Sequence, residues 1–587
     1  MRLNHLLPIT CLALLAGCGD GGGVNSAGSN SPTPPPAASN TTLTNLLASQ
    51  SFTNDAATTS VAFDLTTKTT IGGTAQPNTL TVSYDASSKS YTLSAPGRSQ
   101  TFAPGDVSAS SADDVRFQKT DGTNRDYLTL VKVPYTGTVA TQYVGLGFWQ
   151  RNFVTGTRQD TLFDTFTYGL TTPASSVPRT GSASFGIDVF GLSATPGFEP
   201  RKFQGHGIFG IDLAAGVFST NTFLTETGLL SGNGITGGGV QLQGSGHLSS
   251  TDGTFSGNAL YGGQNGSVAG LLTGRFYGPA AEELGASFSG SNADGATVTG
   301  SFTGQRDTTI PAANETLTNL LAGQLFYTQE AILTLTTFDS NAAPAQARTT
   351  TLTGQLNRQN SDTFSYGPGE SDLPGGSFTA TSVVASSDPN FTAYDKTING
   401  QDVRLELYKP GGSNTEIALT YVSFGRWSSS AKNGVVTQAS QDYLTYGLET
   451  TANLLSAKTG TAHYAGVAYG SGANQYTGAT YAVKGTSSFD VNFSNQNYSG
   501  ALALKGTPTN GAAPADFGSY TFAGPLSRTT AGSATSLVQN GTNLGTLTQR
   551  FYGPVGEEIA GPFTLITRDA NGNAATAIAG VAIAKRQ

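Results

Sequence analysis

The two halves of the sequence contain one phrase almost unchanged. Residues 275–285 read RFYGPAAEELG, and residues 550–560 read RFYGPVGEEIA. The copies lie 275 residues apart, whereas solenoid and propeller repeats recur every ~20–50 residues. The chain is therefore built from a duplicated domain, and this duplication sets the architecture before any secondary structure is predicted.

Four further phrases recur in the same order at nearly the same spacing. The two tryptophans of the chain, Trp149 and Trp427, occupy matching positions. Tryptophan is common in binding hot spots, but this duplication favours paired structural positions in the two copies. The recurring phrases are LTNLLASQSF (43–52) with LTNLLAGQLF (317–326), YVGLGFW (143–149) with YVSFGRW (421–427), TYGL (167–170) with TYGL (445–448), and GSASFGIDVFG (181–191) with GTAHYAGVAYG (460–470).

The first residues have the pattern of an export signal. One positive charge, Arg2, precedes the apolar run LLPITCLALLAG, which is too short for a membrane span. Small residues stand directly before Cys18, as in a bacterial lipoprotein processing box, so we expect residues 1–17 to be cleaved and Cys18 to carry the lipid. The alternative is an ordinary secretory peptide. Residues 18–41 have the Gly/Ser and Pro composition of a flexible tether.

Composition argues against several classes of function. The net charge of −8 argues against a nucleic-acid partner. Once the signal is removed and Cys18 is acylated, the body has no thiol for a disulfide, a metal site or a nucleophile. The sequence contains no nucleophile elbow, phosphate loop or dinucleotide fingerprint. His206, His247 and His463 lie in no metal-binding spacing, so we expect a protein that is not an enzyme and holds no cofactor or metal.

The local patterns predict an all-β protein. Charged residues make up 12% of the chain, against a usual ~25%. Apolar and polar residues alternate in TLTVSYD (79–85) and VQLQGSGHL (240–248), and NADG (292–295) suits a hairpin turn. From residues 181 and 460 onward the predicted strands are short and interrupted by glycines, as in a closed barrel. The stretch before each predicted barrel is less regular. The leucines of LTNLLASQ predict a short helix at the start of each copy.

The repeated phrase resembles the barrel motif of the transferrin-binding protein B family, bilobed surface lipoproteins of Gram-negative bacteria. The barrels of that family end in a pattern close to FYGPxAxExGGxF. Residues 276–288 match it except at Ala286, and residues 551–563 depart from it at Gly556 and Ala560. The motif residues in this sequence are Phe276, Tyr277, Gly278, Pro279 and Glu282 in the first copy, and Phe551, Tyr552, Gly553, Pro554 and Glu557 in the second.

The motif also has a physical interpretation of its own. Phe276 and Tyr277 end a strand with one ring on each face, the Gly-Pro pair turns the chain, and Arg275 is positioned to pair with Glu282 or Glu283. A catalytic carboxylate pair formed by these two glutamates is the weaker alternative, because the pair recurs in both copies with no histidine nearby in sequence.

The resemblance covers the lipobox, the tether and both copies. It implies two tandem lobes, each a handle domain followed by an eight-stranded antiparallel β-barrel. The expected division is an N-lobe handle (42–180), an N-lobe barrel (181–306), a linker (307–315), a C-lobe handle (316–459) and a C-lobe barrel (460–587).

The resemblance also implies a function. Such a lipoprotein is displayed on the outer membrane, where it captures an iron or haem carrier protein and delivers it to a TonB-dependent transporter; a surface-lipoprotein translocator often exports it. An adhesin or a lipoprotein that binds a complement regulator for immune evasion is the alternative. The lipobox and tether argue against a porin-like barrel.

One segment is a candidate for ligand contact. The aromatic and basic stretch PGFEPRKFQGH (196–206) follows the first strand of the N-lobe barrel, where the resemblance implies a ligand-binding cap. The predicted contact residues are Phe198, Arg201, Lys202, Phe203 and His206. The alternatives to a ligand-binding cap are that this segment is an ordinary exposed loop or that His206 ligates haem.

Overall fold

The described chain consists of four consecutive antiparallel β-structures, two in each lobe. The computed structural model describes residues 39–122, 124–135, 141–235, 239–339, 345–360, 363–371, 373–526, 532–569 and 571–587. The predicted signal peptide, Cys18 and most of the predicted tether lie outside the described residues. Residues 40–587 form one compact unit. No helix in these ranges is both long and apolar enough to cross a membrane.

The first structure is a nine-stranded sheet, which we call the N-lobe handle. Its strand order is β4-β3-β2-β1-β9-β8-β7-β6-β5. The first and last strands, β1 and β9, therefore pair at the centre, and consecutive hairpins extend the sheet on either side. The strands are β1 (Gln50–Asp64), β2 (Thr69–Asp85), β3 (Ser90–Ala95), β4 (Arg98–Phe102), β5 (Val107–Ser110), β6 (Asp114–Asp121), β7 (Asn124–Val131), β8 (Val144–Thr155) and β9 (Arg158–Gly169).

The second structure, the N-lobe barrel, is a closed ring of eight strands. The ring closes because β10 pairs with β18 and β11 with β12, while the two-residue strand β13 pairs with β12 outside the ring. The strands are β10 (Ser182–Ala194), β11 (Arg201–Asp212), β12 (Val217–Gly228), β13 (Gly234–Ile235), β14 (Gln241–Leu248), β15 (Thr254–Gly263), β16 (Gly266–Tyr277), β17 (Glu283–Ser291) and β18 (Thr297–Arg306).

The third structure, the C-lobe handle, repeats the topology of the first. Its strand order is β22-β21-β20-β19-β27-β26-β25-β24-β23. The strands are β19 (Gln324–Phe338), β20 (Gln346–Asn360), β21 (Thr363–Gly367), β22 (Gly376–Phe378), β23 (Val383–Val384), β24 (Phe391–Ile398), β25 (Gln401–Tyr408), β26 (Val422–Asn433) and β27 (Val436–Gly447).

The fourth structure, the C-lobe barrel, is again closed by eight strands. The predicted fold class, two lobes that each pair a handle with an eight-stranded barrel, is therefore confirmed. The strands are β28 (Thr461–Asn474), β29 (Thr480–Asn492), β30 (Asn497–Pro508), β31 (Ala515–Pro525), β32 (Gly532–Gln539), β33 (Thr542–Tyr552), β34 (Glu558–Arg568) and β35 (Ala574–Arg586).

The predicted helix at the start of each lobe is wrong. Residues 43–49 and 317–323 form turns and loops. The side chain of Asn40 accepts hydrogen bonds from the backbone N–H groups of Leu47 and Ala48, at 2.7 and 2.9 Å, and Asn314 does the same for residues 321 and 322. An asparagine side chain thus takes the donors that a helix would have used. The helical segments are instead α1 (Ala452–Ala457) and 3-10 turns at Pro104–Asp106, Ala174–Ser176 and Ala380–Ser382.

The stretches before the barrels are regular sheets rather than irregular segments. β2 shows why the sequence misleads, because it runs through Gly72, Gly73 and Pro77, residues that usually mark turns. Pairing with β1 over the whole strand holds these residues extended. Tertiary pairing thus overrides a weak local propensity.

Each handle has a core around its tryptophan. Trp149 and Trp427 are both fully buried, which confirms that they are paired structural positions. The Trp149 indole N–H donates to Asp126 at 2.8 Å, and the Arg98 guanidinium lies over its ring at 4.1 Å. Trp427 instead packs against the ring of Tyr366.

The two lobes contact each other through polar groups and through Val217 of β12, which packs in an apolar cluster of the C-lobe. Asp212, at the end of β11, accepts hydrogen bonds from Asn319 and Thr316, at 3.0 and 3.3 Å. Ser219 on β12 donates to Glu315 at 2.6 Å, and burial raises the pKa of this carboxyl to about 7. Ser245 of β14 also donates to the Pro554 carbonyl at 2.7 Å, and His247 is hydrogen-bonded to Glu557 at 2.7 Å. The interface therefore lies between the outer wall of the N-lobe barrel and two parts of the C-lobe, its beginning and its FYGP turn.

Candidate functional site

The repeated FYGP phrase forms the junction between handle and barrel in each lobe. Glu283, the first residue of β17, accepts hydrogen bonds from the backbone N–H groups of Gln142, Tyr143 and Val144, at 2.7, 2.8 and 2.9 Å. These three residues lead into β8 of the handle. One buried carboxylate therefore satisfies three backbone donors and fastens the two structures together.

The C-lobe repeats this arrangement. Glu558, the first residue of β34, accepts from Thr420, Tyr421 and Val422, also at 2.7, 2.8 and 2.9 Å. Burial raises the pKa of Glu558, and the three N–H groups oppose that rise because they stabilise the charged form. We call Glu283 and Glu558 the seam glutamates.

The turn after the aromatic pair completes the junction. Gly278 has a φ of +86°, and a Cβ placed there would lie 2.7 Å from the ring of Tyr143. Thr172 donates its hydroxyl to the Gly278 carbonyl at 2.6 Å. In the second copy, Gly553 has a φ of +91° and its carbonyl accepts from Thr450. Glycine is required here because the backbone is left-handed and a handle tyrosine packs against it.

The predicted roles of the aromatic pair are confirmed, whereas the predicted ion pair is wrong. Phe276 belongs to the N-lobe barrel core, and the buried Tyr277 hydroxyl lies near Thr167 and Asn54 of the handle. Arg275 pairs with Asp55 of the handle at 2.6 Å, not with a glutamate of its own turn.

The equivalent pair in the second copy is Arg550 with Glu449. Glu282 accepts the N–H of Ala280 within its own turn, at 2.9 Å, because its side chain folds back over Gly278. Sequence analysis thus chose Glu282 and missed the structural importance of Glu283. The available signal was the family pattern itself, whose glutamate falls on Glu283 and Glu558.

The loops at one end of the N-lobe barrel form the candidate ligand-binding site. The β10–β11 loop is tied to the handle, since Thr70 donates to the Phe198 carbonyl at 2.8 Å and accepts from Gly197 at 2.9 Å. The loop after β12 is tied to the first loop, because Leu229 donates to Pro200 at 3.0 Å and the Glu199 carboxylate accepts from Leu230. The two loops therefore support each other and rest on the handle.

These loops expose apolar side chains. Phe198, Leu229 and Leu230 are 50%, 47% and 55% exposed, and we call them the tip rim. Beside them lies an apolar cavity of about 120 Å³, lined by handle residues such as Val61 and Phe63 and by both leucines. A continuous surface of barrel tip and handle is thus available to a partner.

The five predicted contact residues do not lie together in the structure. Phe198 is part of the tip rim. Arg201 and Lys202 are half-buried, and Arg201 lies 3.9 Å from the buried Glu226. Phe203 is fully buried against Tyr261, so the prediction is wrong for this residue: alternation along β11 points it into the barrel.

His206 is exposed on the outer wall of the barrel, where it pairs across strands with Phe223. It lies five residues along β11 from Arg201, roughly 17 Å away from the rim end of the strand. Sequence analysis missed Leu229 and Leu230. The sequence feature that indicates them is an apolar pair between Gly228 and Gly232, because a hairpin tip usually carries polar residues.

Comparison with known proteins gives one family match, which covers the C-lobe barrel. Residues 457–586 match the family model described as the C-lobe and N-lobe beta barrels of Tf-binding protein B. This match covers the C-lobe barrel, which is therefore similar to the barrels of that family. No curated protein sequence matches the chain.

Solved structures of transferrin-binding protein B and of a lactoferrin binding protein B also match this chain. A double mutant from Haemophilus parasuis Hp5 is 17% identical, with 76% of this chain and 84% of that chain covered and a TM-score of 0.27. The isotype 1 protein from serogroup B Neisseria meningitidis is 17% identical, with 76% and 86% covered and a TM-score of 0.25. The N-lobe domain of lactoferrin binding protein B from Moraxella bovis is 14% identical, with 33% and 79% covered and a TM-score of 0.19.

Replacing a seam glutamate is expected to destabilise its lobe. In Glu283→Ala, three backbone N–H groups lose a buried acceptor, so the free energy of unfolding should fall by about 3 kcal/mol or more. Urea unfolding followed by tryptophan fluorescence measures the change. Glu282→Ala is the matched control and should cost less than about 1 kcal/mol, because it removes one local hydrogen bond. Equal losses in the two variants would contradict the role assigned to Glu283.

Proposed function

We propose that this protein is a lipoprotein displayed on the Gram-negative outer membrane, where it captures an iron or haem carrier protein. Cys18 carries the acyl anchor, and residues 18–41 hold the folded body away from the membrane. The captured protein passes to a TonB-dependent transporter, and a surface-lipoprotein translocator carries the chain to the cell surface. The family match of the C-lobe barrel supports the ligand class, since that family is described by its binding of transferrin.

The tip rim is the observation that carries this proposal. Three large apolar side chains lie exposed on neighbouring loops, although apolar surface is more stable when covered. Such side chains become the energetic centre of an interface when a partner removes them from water. The exposed area is small, so a protein partner also has to contact the handle beside it.

The loops need little reorganisation before they bind. Backbone hydrogen bonds join the β10–β11 loop to Thr70 of the handle, and the Glu199 carboxylate holds the second loop. Ordering loops on association costs free energy, and a pre-organised loop avoids that cost. The handle–barrel junction at Glu283 maintains the relative position of both surfaces.

Substitutions in the tip rim are expected to weaken carrier binding. The chain is immobilised, and iron-loaded and iron-free transferrin, lactoferrin, haemoglobin, haem and complement factor H are passed over it. We expect saturable binding of at least one iron or haem carrier, and at least a tenfold loss, about 1.4 kcal/mol, in the double variant Phe198→Ala/Leu230→Ala. The control is Tyr476→Ala, which removes a 60% exposed side chain from the C-lobe barrel. Binding of factor H alone would instead indicate immune evasion, and unchanged affinity in the double variant would exclude the rim.

Replacing Cys18 is expected to release the protein from the membrane. Without the thiol no lipid can be attached, and the predicted tether alone has no apolar segment to hold a bilayer. Membrane fractionation of Cys18→Ala should therefore move the protein to the soluble fraction, while Cys11→Ala should leave it anchored. Unchanged fractionation of Cys18→Ala, together with an unacylated N-terminus, would contradict the anchor.

A further inference from the structure

A second cavity lies away from the tip rim, between the two lobes. It has a volume of about 700 Å³ and lies between the outer wall of the N-lobe barrel and the C-lobe handle, with Arg550, Gly553 and Pro554 of the C-lobe barrel also lining it. Asn221 of β12 and Gln243 of β14 line one side, and Leu325, Tyr327 and Gln329 of β19 line the other. We call this space the interlobe cleft.

Strand alternation explains which side chains face the cleft. On β19, Phe326 belongs to the C-lobe handle core and Thr328 donates to the buried Glu330. The intervening residues of a strand point to the opposite face. Leu325, Tyr327 and Gln329 are therefore presented together along one side of the cleft.

Three amide side chains in the cleft are available for a ligand. The side chains of Asn221, Gln243 and Gln329 form no hydrogen bond to any residue that the structure describes. Gln329 is only 8% exposed and lines the cleft. Each amide offers two donors and one acceptor oxygen, so the three together suit a ligand rich in hydroxyl groups.

An aromatic ring lies on the same side as Gln329. Tyr327 is 63% exposed, and the neighbouring Leu325 is 40% exposed. An exposed ring beside free amides offers an apolar face next to polar groups. That combination matches a sugar ring, which presents C–H groups on its face and hydroxyl groups around its edge.

The charges of the cleft argue for a neutral ligand. Among the described residues that line it, Arg550 pairs with Glu449, and Glu315 accepts a hydrogen bond from Ser219. A phosphate or carboxylate ligand would need an unpaired cation. A wholly apolar ligand would leave the amides buried without partners, which is costly.

The strands that form the cleft also argue against an extended peptide. β19 pairs with β20 and β27, β12 pairs with β11 and β14, and β14 pairs with β12 and β15. A peptide that binds by strand addition needs an open strand edge, and none of these three strands has one along the cleft.

We propose that the interlobe cleft binds a neutral oligosaccharide, with one sugar ring packed on Tyr327 and its hydroxyl groups bound by Asn221, Gln243 and Gln329. The volume lies within the ~300–1,000 Å³ typical of ligand pockets. This site is independent of the tip rim, so the protein carries two binding surfaces of different chemistry.

Calorimetry and saturation-transfer NMR with the full chain test this site. The probes are maltohexaose, chitohexaose and cellohexaose, with hexagalacturonate as the acidic comparison. We expect saturable binding of at least one neutral probe, at least a tenfold loss in Tyr327→Ala and in Gln329→Leu, and retained binding in Tyr327→Phe. Tyr476→Ala and the tip-rim double variant should bind the sugar as the unmodified chain does, which separates this site from the carrier site.

Three results would overturn the proposal. They are absence of saturable binding to all three neutral probes, equal binding by Tyr327→Ala and the unmodified chain, and preferential binding of hexagalacturonate. Because Tyr327 is exposed, its replacement should leave the fold intact, and an unchanged circular dichroism spectrum confirms this.

Discussion

The architecture of each lobe depends on one carboxylate that accepts three backbone N–H groups. Each barrel is closed on itself, and each handle is a separate sheet, so strand pairing does not extend one into the other along its length. The seam glutamates Glu283 and Glu558 connect them by hydrogen bonds, and in the N-lobe Phe190 of the barrel also packs against Phe148 and Phe163 of the handle. Burying a carboxylate is costly, and three charge-assisted hydrogen bonds offset that cost. The tip rim and the cavity beside it combine the N-lobe barrel with its own handle, so their geometry depends on this connection.

The two lobes share the handle–barrel junction but differ inside the handles. Trp149 lies opposite Asp164 in the strand register, and Trp427 lies opposite Asp442. In the first handle Arg98 pairs with the buried Asp164. In the second, the Tyr366 hydroxyl lies between Asp442 and Glu330, and burial raises the pKa of both carboxyls. The duplication has therefore kept the junction while the handle interiors diverged.

The sequence predicts the parts of this structure that repeat and alternate. The duplicated phrases predict two lobes, and period-two patterns such as 79–85 and 240–248 predict strands that the structure contains. Leucine spacing fails at residues 43–50 because Asn40, a residue outside that pattern, takes the backbone donors. Alternation along β11 points the Phe203 ring into the barrel, so the predicted ligand contact fails at this residue. The role of Glu283 and the interlobe cleft depend on residues more than a hundred positions apart, which no local pattern reveals.

Hydrogen exchange at the junction tests the central claim most directly. If the seam glutamates fasten handle to barrel, the amides of residues 142–144 and 420–422 should exchange only when their lobe unfolds, with the same free energy as barrel strands β17 and β34. Native-state exchange at increasing denaturant, read by mass spectrometry, gives that comparison. Exchange of these amides at a much lower free energy, as in an exposed loop, would contradict the account.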